Sequence, residues 1–170
     1  MKENTSSILP VIKQFNLHAR LFNNVLDGIE GNAVSERLNE HVNHVQWIAG
    51  HLTNSRYHLS PLLGLNVSFP YAESYTDRSQ PPPHNRAIDP SVKYPSIAEI
   101  KKTWNELAKP FTEKIAALTS EQLSAETPAK VPTGNTLSDL LSFIASHESY
   151  HIGQISIIRK YLGLDAMSYK

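Results

Sequence analysis

The stretch 136-TLSDLLSFIASHESYHIGQISIIRKYLG-163 reads as one long helix with the pentad His147-Glu148-Ser149-Tyr150-His151 at its middle. Thr136 is an N-cap residue, Asp139 suits the positive end, Arg159 and Lys160 suit the negative end, and Gly163 closes it. Two histidines four residues apart on a helix lie one turn above the other, so both rings can reach one point in space. With His147 set to zero on a helical wheel, Leu137, Leu140, Phe143, Ile144, His151, Gln154, Ile155, Ile158 and Leu162 all fall within about 80°. The wheel therefore centres the two histidines on the apolar stripe. It leaves Glu148 about 100° away, at the stripe's edge, where a solvated surface charge is the favoured reading.

Upstream, residues 6–29 carry Ile8, Ile12, Phe15, Phe22, Val25, Leu26 and Ile29 at helical spacing. Ser6 or Ser7 is expected to cap this helix, Pro10 to fall near its first turn, and His18 to face solvent or a hydrogen-bond partner. A second helix is expected from Leu38 or Asn39 to Leu63, closed by Gly64. Its stripe holds His44, Trp47, Ile48, His51, Ser55, His58, Leu59 and Leu62, with His41 at the edge and Gln46, Ala49 and Arg56 off it. Histidines seven apart are separated by about 10 Å of rise, so one ion could use only one of His44, His51 and His58.

Residues 66–95 contain Pro70, Pro81, Pro82, Pro83, Pro90 and Pro95 and cannot form a core helix. They read as a crossover long enough to span a bundle, with His84 in solvent. Ser96-Ile97-Ala98-Glu99 is a capping box that opens a third helix, whose stripe of Ile97, Ile100, Trp104, Leu107, Phe111, Ile115 and Leu118 is kinked at Pro110. Residues 119–135, with Pro128, Pro132 and Gly134, are a connection without a strand signal. Four one-sided helices predict an all-α fold, a four-helix bundle formed by residues 1–170 as a single domain.

Composition narrows the function. The 170 residues contain no cysteine, which removes disulfides, thiolate ligands and a cysteine nucleophile. Sixteen Lys and Arg balance sixteen Asp and Glu, so no global field favours nucleic acid or an anionic membrane. No apolar run has the length of a membrane span or a signal peptide, and a cytoplasmic location is expected. Two imidazoles on a core stripe, facing a second stripe with a histidine of its own, suit a divalent zinc, nickel, copper or iron ion better than they suit hydrogen bonds alone. Spacing leaves the third ligand open among His51, His44 and His58.

The pentad also matches H-E-x-x-H, in which the glutamate serves a zinc peptidase as general base. Gln154 and Ile157 stand where a metzincin needs glycine and histidine, Asp165 lies beyond Gly163, and the sheet of such enzymes has no candidate strands.

Asn43-His44-Val45-Gln46-Trp47-Ile48-Ala49-Gly50-His51-Leu52, followed far downstream by His147-Glu148-Ser149-Tyr150-His151-Ile152-Gly153-Gln154-Ile155, resembles the DinB superfamily, also called DinB/YfiT-like. The resemblance covers nearly the whole chain. It implies an up-down-down-up four-helix bundle and a three-histidine metal site at His51, His147 and His151. It further implies a divalent ion (nickel or zinc foremost, manganese or iron as alternatives), a small-molecule substrate and a homodimer. Members of the family include transferases and isomerases that use low-molecular-weight thiols such as bacillithiol or mycothiol, and others described as metal-dependent hydrolases. The family name refers to induction by DNA damage and implies no DNA contact. A thiol, if used, would have to come from a cosubstrate, because the chain has none. Around the three ligands, Gln154 could hydrogen-bond a ligand or fill a gap, and Trp47 could wall the pocket or pack in the core. The alternatives to an enzyme of this kind are a non-catalytic metal-binding module and, behind it, the peptidase. No residue is assigned a catalytic role.

Overall fold

The computed structural model describes residues 5–79 and 84–170, so the consecutive prolines at 81–83 lie outside the described residues, as do the side chains expected to cap the first helix. Four long helices dominate: α1 (Thr5–Leu26), α2 (Val45–Leu59), α3 (Ile97–Ala116) and α5 (Leu137–Tyr161), with a short α4 (Ser120–Ser124) between the last two. Helix α1 packs against α3 and α5, and α2 packs against the same two. The core they enclose includes Phe15, Phe22, Val25, Ile48, Leu52, Ile100, Trp104, Phe111, Ile115 and Ile155, all at 0–1% exposure. Phe22 stacks on Trp104 with ring centroids 4.1 Å apart.

The expected stop and start signals mostly hold. Thr136 with Asp139 and Ser96 with Glu99 both form complete capping boxes. Gly163, at φ 77°, ends α5, and the Leu164 N–H returns to the Arg159 carbonyl. Helix α3 runs unbroken through Pro110. Three boundaries differ. Helix α1 already includes Thr5, which puts Pro10 in its second turn rather than its first. Helix α2 starts at Val45 and not at Leu38 or Asn39: Arg37 donates to the Val42 and Glu40 carbonyls, holding that segment as a loop. His44, in extended conformation, then caps the helix by accepting the Trp47 N–H at 3.0 Å. A 3-10 turn, Ser60–Leu63, completes the helix before Gly64.

Two small antiparallel ribbons correct the expectation of no strands. In the crossover, β1 (Thr76–Asp77) pairs with β2 (His84–Asn85); in residues 119–135, α4 is followed by β3 (Glu126–Val131) and β4 (Gly134–Thr136). These strands are short and mostly exposed or half-buried, so they carry no apolar alternation for a sequence to display. The crossover itself is seated on α2 by Tyr75, which is fully buried; a Cβ at Gly50 would overlap its ring. Phe69, Tyr71 and Tyr94 continue that aromatic contact.

The largest correction concerns which residues are central. On α5 the fully buried residues are Leu141, Ala145, Glu148 and Ile155, with Ile152 at 2% exposure. They centre on Glu148, about 100° from His147. On α2 the inward arc of Val45, Ala49, Leu52 and Leu59 centres on Arg56, itself 0% exposed. Arg56 and Glu148, one read as off the stripe and the other as a surface charge, sit in the middle of the core. Arg56 Nε donates to Glu148 Oε1 at 2.6 Å and Nη2 to Oε2 at 2.8 Å. His18 Nδ1 donates to Oε2 at 3.0 Å, which gives this buried histidine its partner. The guanidinium also lies 3.7 Å from the centroid of the Trp104 ring. Burial pushes the Glu148 carboxyl up, but the Arg56 charge and the hydrogen bonds from Arg56 and His18 outweigh it and leave the group below its ordinary value.

Removing one partner of a buried ion pair strands the other, a loss of about 3–5 kcal/mol. Glu148→Gln and Arg56→Met should each lower unfolding stability by that amount in urea at pH 7. Because the folded carboxyl titrates below its unfolded value of 4.5, its contribution is present above that pH and is lost as the pH falls further. The stability difference between wild type and Glu148→Gln should therefore shrink in acid, as read from urea midpoints between pH 7 and pH 3.

Candidate metal centre

With Glu148 turned to the core, His147 and His151 lie on the flank of α5 that meets α2, where they are half-buried. His51 faces them from α2 at 3% exposure. The three Nε2 atoms converge: His51 to His147 is 3.0 Å, and His151 to His147 is 3.0 Å. Among the described residues these three histidines form the one His/Cys/Asp/Glu group that could hold an ion, with ligand atoms within 4.8 Å of one another.

The donor set fits a divalent cation. An imidazole Nε2 carries either one hydrogen or one in-plane lone pair, so it can make one good hydrogen bond. His147 Nε2 has two neighbours at 3.0 Å and can satisfy one of them. The other neighbour must compete for the same hydrogen or lone pair, or face it with a like group, which a shared cation would relieve. Burial holds His51 down to about 3 and His147 to about 4, each further lowered by its histidine neighbours. Burial also lowers His151, against a hydrogen bond to Gln154. Neutral imidazoles are the form in which histidine binds metal, with no proton to displace.

Two flanking residues, Gln154 and Trp47, contact the trio. Gln154 Oε1 lies 2.7 Å from His151 Nδ1, and Gln154 Nε2 donates to the Tyr150 hydroxyl at 3.1 Å. The amide is thereby oriented with its oxygen toward the ring, so Nδ1 carries the hydrogen and the Nε2 lone pair faces the other two histidines. The Trp47 ring stacks on His51, centroids 4.9 Å apart and planes 12° from parallel. The Nδ1 atoms of His51 and His147 have no partner among the described residues.

The other histidines separate from the site. His44 is the α2 cap, His58 is exposed with Nε2 3.4 Å from the Thr76 hydroxyl, and His84 is exposed beside Asp77. His18, Glu148 and Arg56 form a network that reading charge by charge missed; the signal was present in the wheel, where both charges fall at the centre of small and apolar residues. Ser149 Oγ lies 2.8 Å from His18 Nε2, so serine, histidine and glutamate follow one another as in a hydrolase triad. Arg56 occupies both carboxylate oxygens, and the backbone N–H groups of a helix interior are already bonded, so no oxyanion site accompanies it.

In metal-free protein, imidazole nitrogen NMR should show His51 and His147 neutral down to about pH 5, and His151 with its hydrogen on Nδ1. Gln154→Ala should abolish that single-tautomer signal while leaving the other two rings unchanged.

Comparison with known proteins bears on the fold and the family. No curated protein matches the chain. Among solved structures, YfiT from Bacillus subtilis, described as a probable metal-dependent hydrolase with an unusual four-helix bundle topology, superposes with a TM-score of 0.67. The match covers 97% of this chain and 91% of that one at 16% identity, so it establishes a shared four-helix-bundle fold. The family model described as the DinB superfamily matches residues 14–155, and the chain belongs to the DinB superfamily.

Proposed function

We propose that this protein is a metal-dependent enzyme whose divalent ion, nickel or zinc foremost, is held by His51, His147 and His151. The observation that carries the reading is the convergence of three Nε2 atoms at a spacing that hydrogen bonds alone cannot satisfy. When bound, such an ion lowers the pKa of a water or external thiol and so supplies a nucleophile at neutral pH. The remaining work falls to the chain. Gln154 keeps the hydrogen of His151 on Nδ1, Trp47 covers one face of His51, and burial keeps the rings unprotonated. The reaction class is hydrolysis or transfer to a low-molecular-weight thiol, acting on a small molecule.

Structural zinc sites are closed by four protein ligands. The absence of a fourth His, Cys, Asp or Glu from the group among the described residues favours open positions and catalysis over a purely structural role. The peptidase reading has lost its base, since Glu148 is buried with both oxygens bonded. The finer architecture is part of the same proposal: a single domain over residues 1–170, helices running up-down-down-up, with residues 66–95 as the crossover. A homodimer is supported by Tyr150, Ile157 and Tyr161, which line one exposed face of α5 at 63%, 64% and 61%. The balance of charges supports neither a nucleic-acid nor a membrane partner, and no helix among the described residues is long and apolar enough to cross a membrane. The cytoplasm is the proposed location.

Protein purified without a histidine tag should carry about one divalent ion per chain by elemental analysis. His147→Ala and His51→Ala should each lose it, while Gln154→Ala should weaken binding about tenfold or more. Wild-type protein without an ion, and unable to bind nickel or zinc when supplied, would overturn the proposal.

A further inference from the structure

One groove, of about 500 Å³, lies beside the N-terminal end of α2, in the range of small-molecule sites. Ile88, Val92 and Tyr94 supply an apolar wall, and Arg37 and Lys93 supply two positive charges. No carboxylate lines it, and neither cation forms an ion pair among the described residues. The wall is held in place: Gln46 donates to the Pro95 carbonyl at 2.8 Å, and the Asp89 N–H donates to the Tyr94 hydroxyl at 3.0 Å.

His44 adds a directed donor. It is 7% exposed, lies edge-on to Tyr94, and accepts the Trp47 N–H through Nδ1. A neutral ring that accepts at Nδ1 must carry its hydrogen on Nε2. Burial, and then the Arg37 charge, keep the ring neutral. No hydrogen bond to Nε2 occurs among the described residues, and His44 is one of the residues that line the groove. The positive end of α2 adds to the same potential.

We propose that this groove binds a small organic anion, a carboxylate with an apolar body, with His44, Arg37 and Lys93 on the carboxylate and Tyr94 against the body. The location suggests its use. His44, Trp47 and His51 stand on successive turns of α2, joined by the Trp47–His44 hydrogen bond and the Trp47–His51 stack. Seven residues of helix are about 10 Å of rise, so the groove lies about that far along α2 from the three histidines. Its role as a substrate subsite rests on the metal-dependent reading; anion binding by the groove does not.

The test is titration of the full-length, metal-free protein with 4-phenylbutyrate, followed by amide NMR, with 4-phenylbutyramide as the uncharged counterpart. Saturable shifts at Gln46, Trp47 and Tyr94 are expected, with the amide binding about tenfold more weakly, the worth of a charge-assisted hydrogen bond. Lys93→Glu should weaken the carboxylate by a similar factor. His44→Asp keeps an N-cap and the helix but removes the donor, so it should lose binding with the melting temperature retained. Equal binding of the amide, shifts away from the groove, or no saturation at millimolar probe would overturn the proposal. Metal content measured on the same proteins separates the two readings: carboxylate binding by a chain that takes up no metal leaves the groove standing and removes only its role as a substrate subsite.

Discussion

The fold depends on a charge pair placed where apolar side chains normally go. Taking Arg56 and Glu148 out of water costs several kcal/mol per ion. That cost is offset only because the fork of the guanidinium meets both carboxylate oxygens, His18 adds a third hydrogen bond, and the face of Trp104 lies against the cation. The pair joins α2 to α5, His18 joins α1 and Trp104 joins α3, so all four long helices meet at one point. Apolar side chains can slide past one another at little cost, whereas a bidentate ion pair fixes distance and orientation together.

That choice of centre determines where the histidines fall. Glu148 precedes His151 by three residues and follows His147 by one, so turning Glu148 inward rotates both rings about 100° or less to the flank facing α2. On α2, Arg56 lies five residues and about 140° round the helix from His51, which leaves the core arc and meets the other two rings at the bundle's rim. A site at the rim can be reached by solvent while its rings remain buried enough to stay neutral. The ion pair therefore supplies both the register of the two helices and the half-buried setting of the imidazoles between them. The aromatic side chains of the crossover hold the neighbouring face of α2 closed, with Gly50 admitting Tyr75, so the open groove is left near the helix's start.

Much was legible in local chemistry. Capping boxes at Ser96 and Thr136, glycine at the end of α5, and apolar residues at threes and fours are interactions within a few residues of chain, and their patterns survive whatever surrounds them. The pairing of His147 with His151 is of this kind, since one helix is enough to align them. So is the exclusion of thiolate chemistry, which follows from the absence of cysteine.

Tertiary structure alone decided which charges are buried, and it brings His51, which spacing left open and the family resemblance implied, to the other two histidines. A wheel weighs each residue against water, and by that measure Arg56 and Glu148 belong outside; only their meeting, 92 positions apart in sequence, makes the interior acceptable to both. Geometry likewise chose among three histidines seven apart on one helix: His44 is spent as a cap, His58 reaches solvent, and His51 stands at the height of the α5 pair. The helical period places each charge among small and apolar residues, but their pairing has no local signature, because its free energy exists only once both partners are in place.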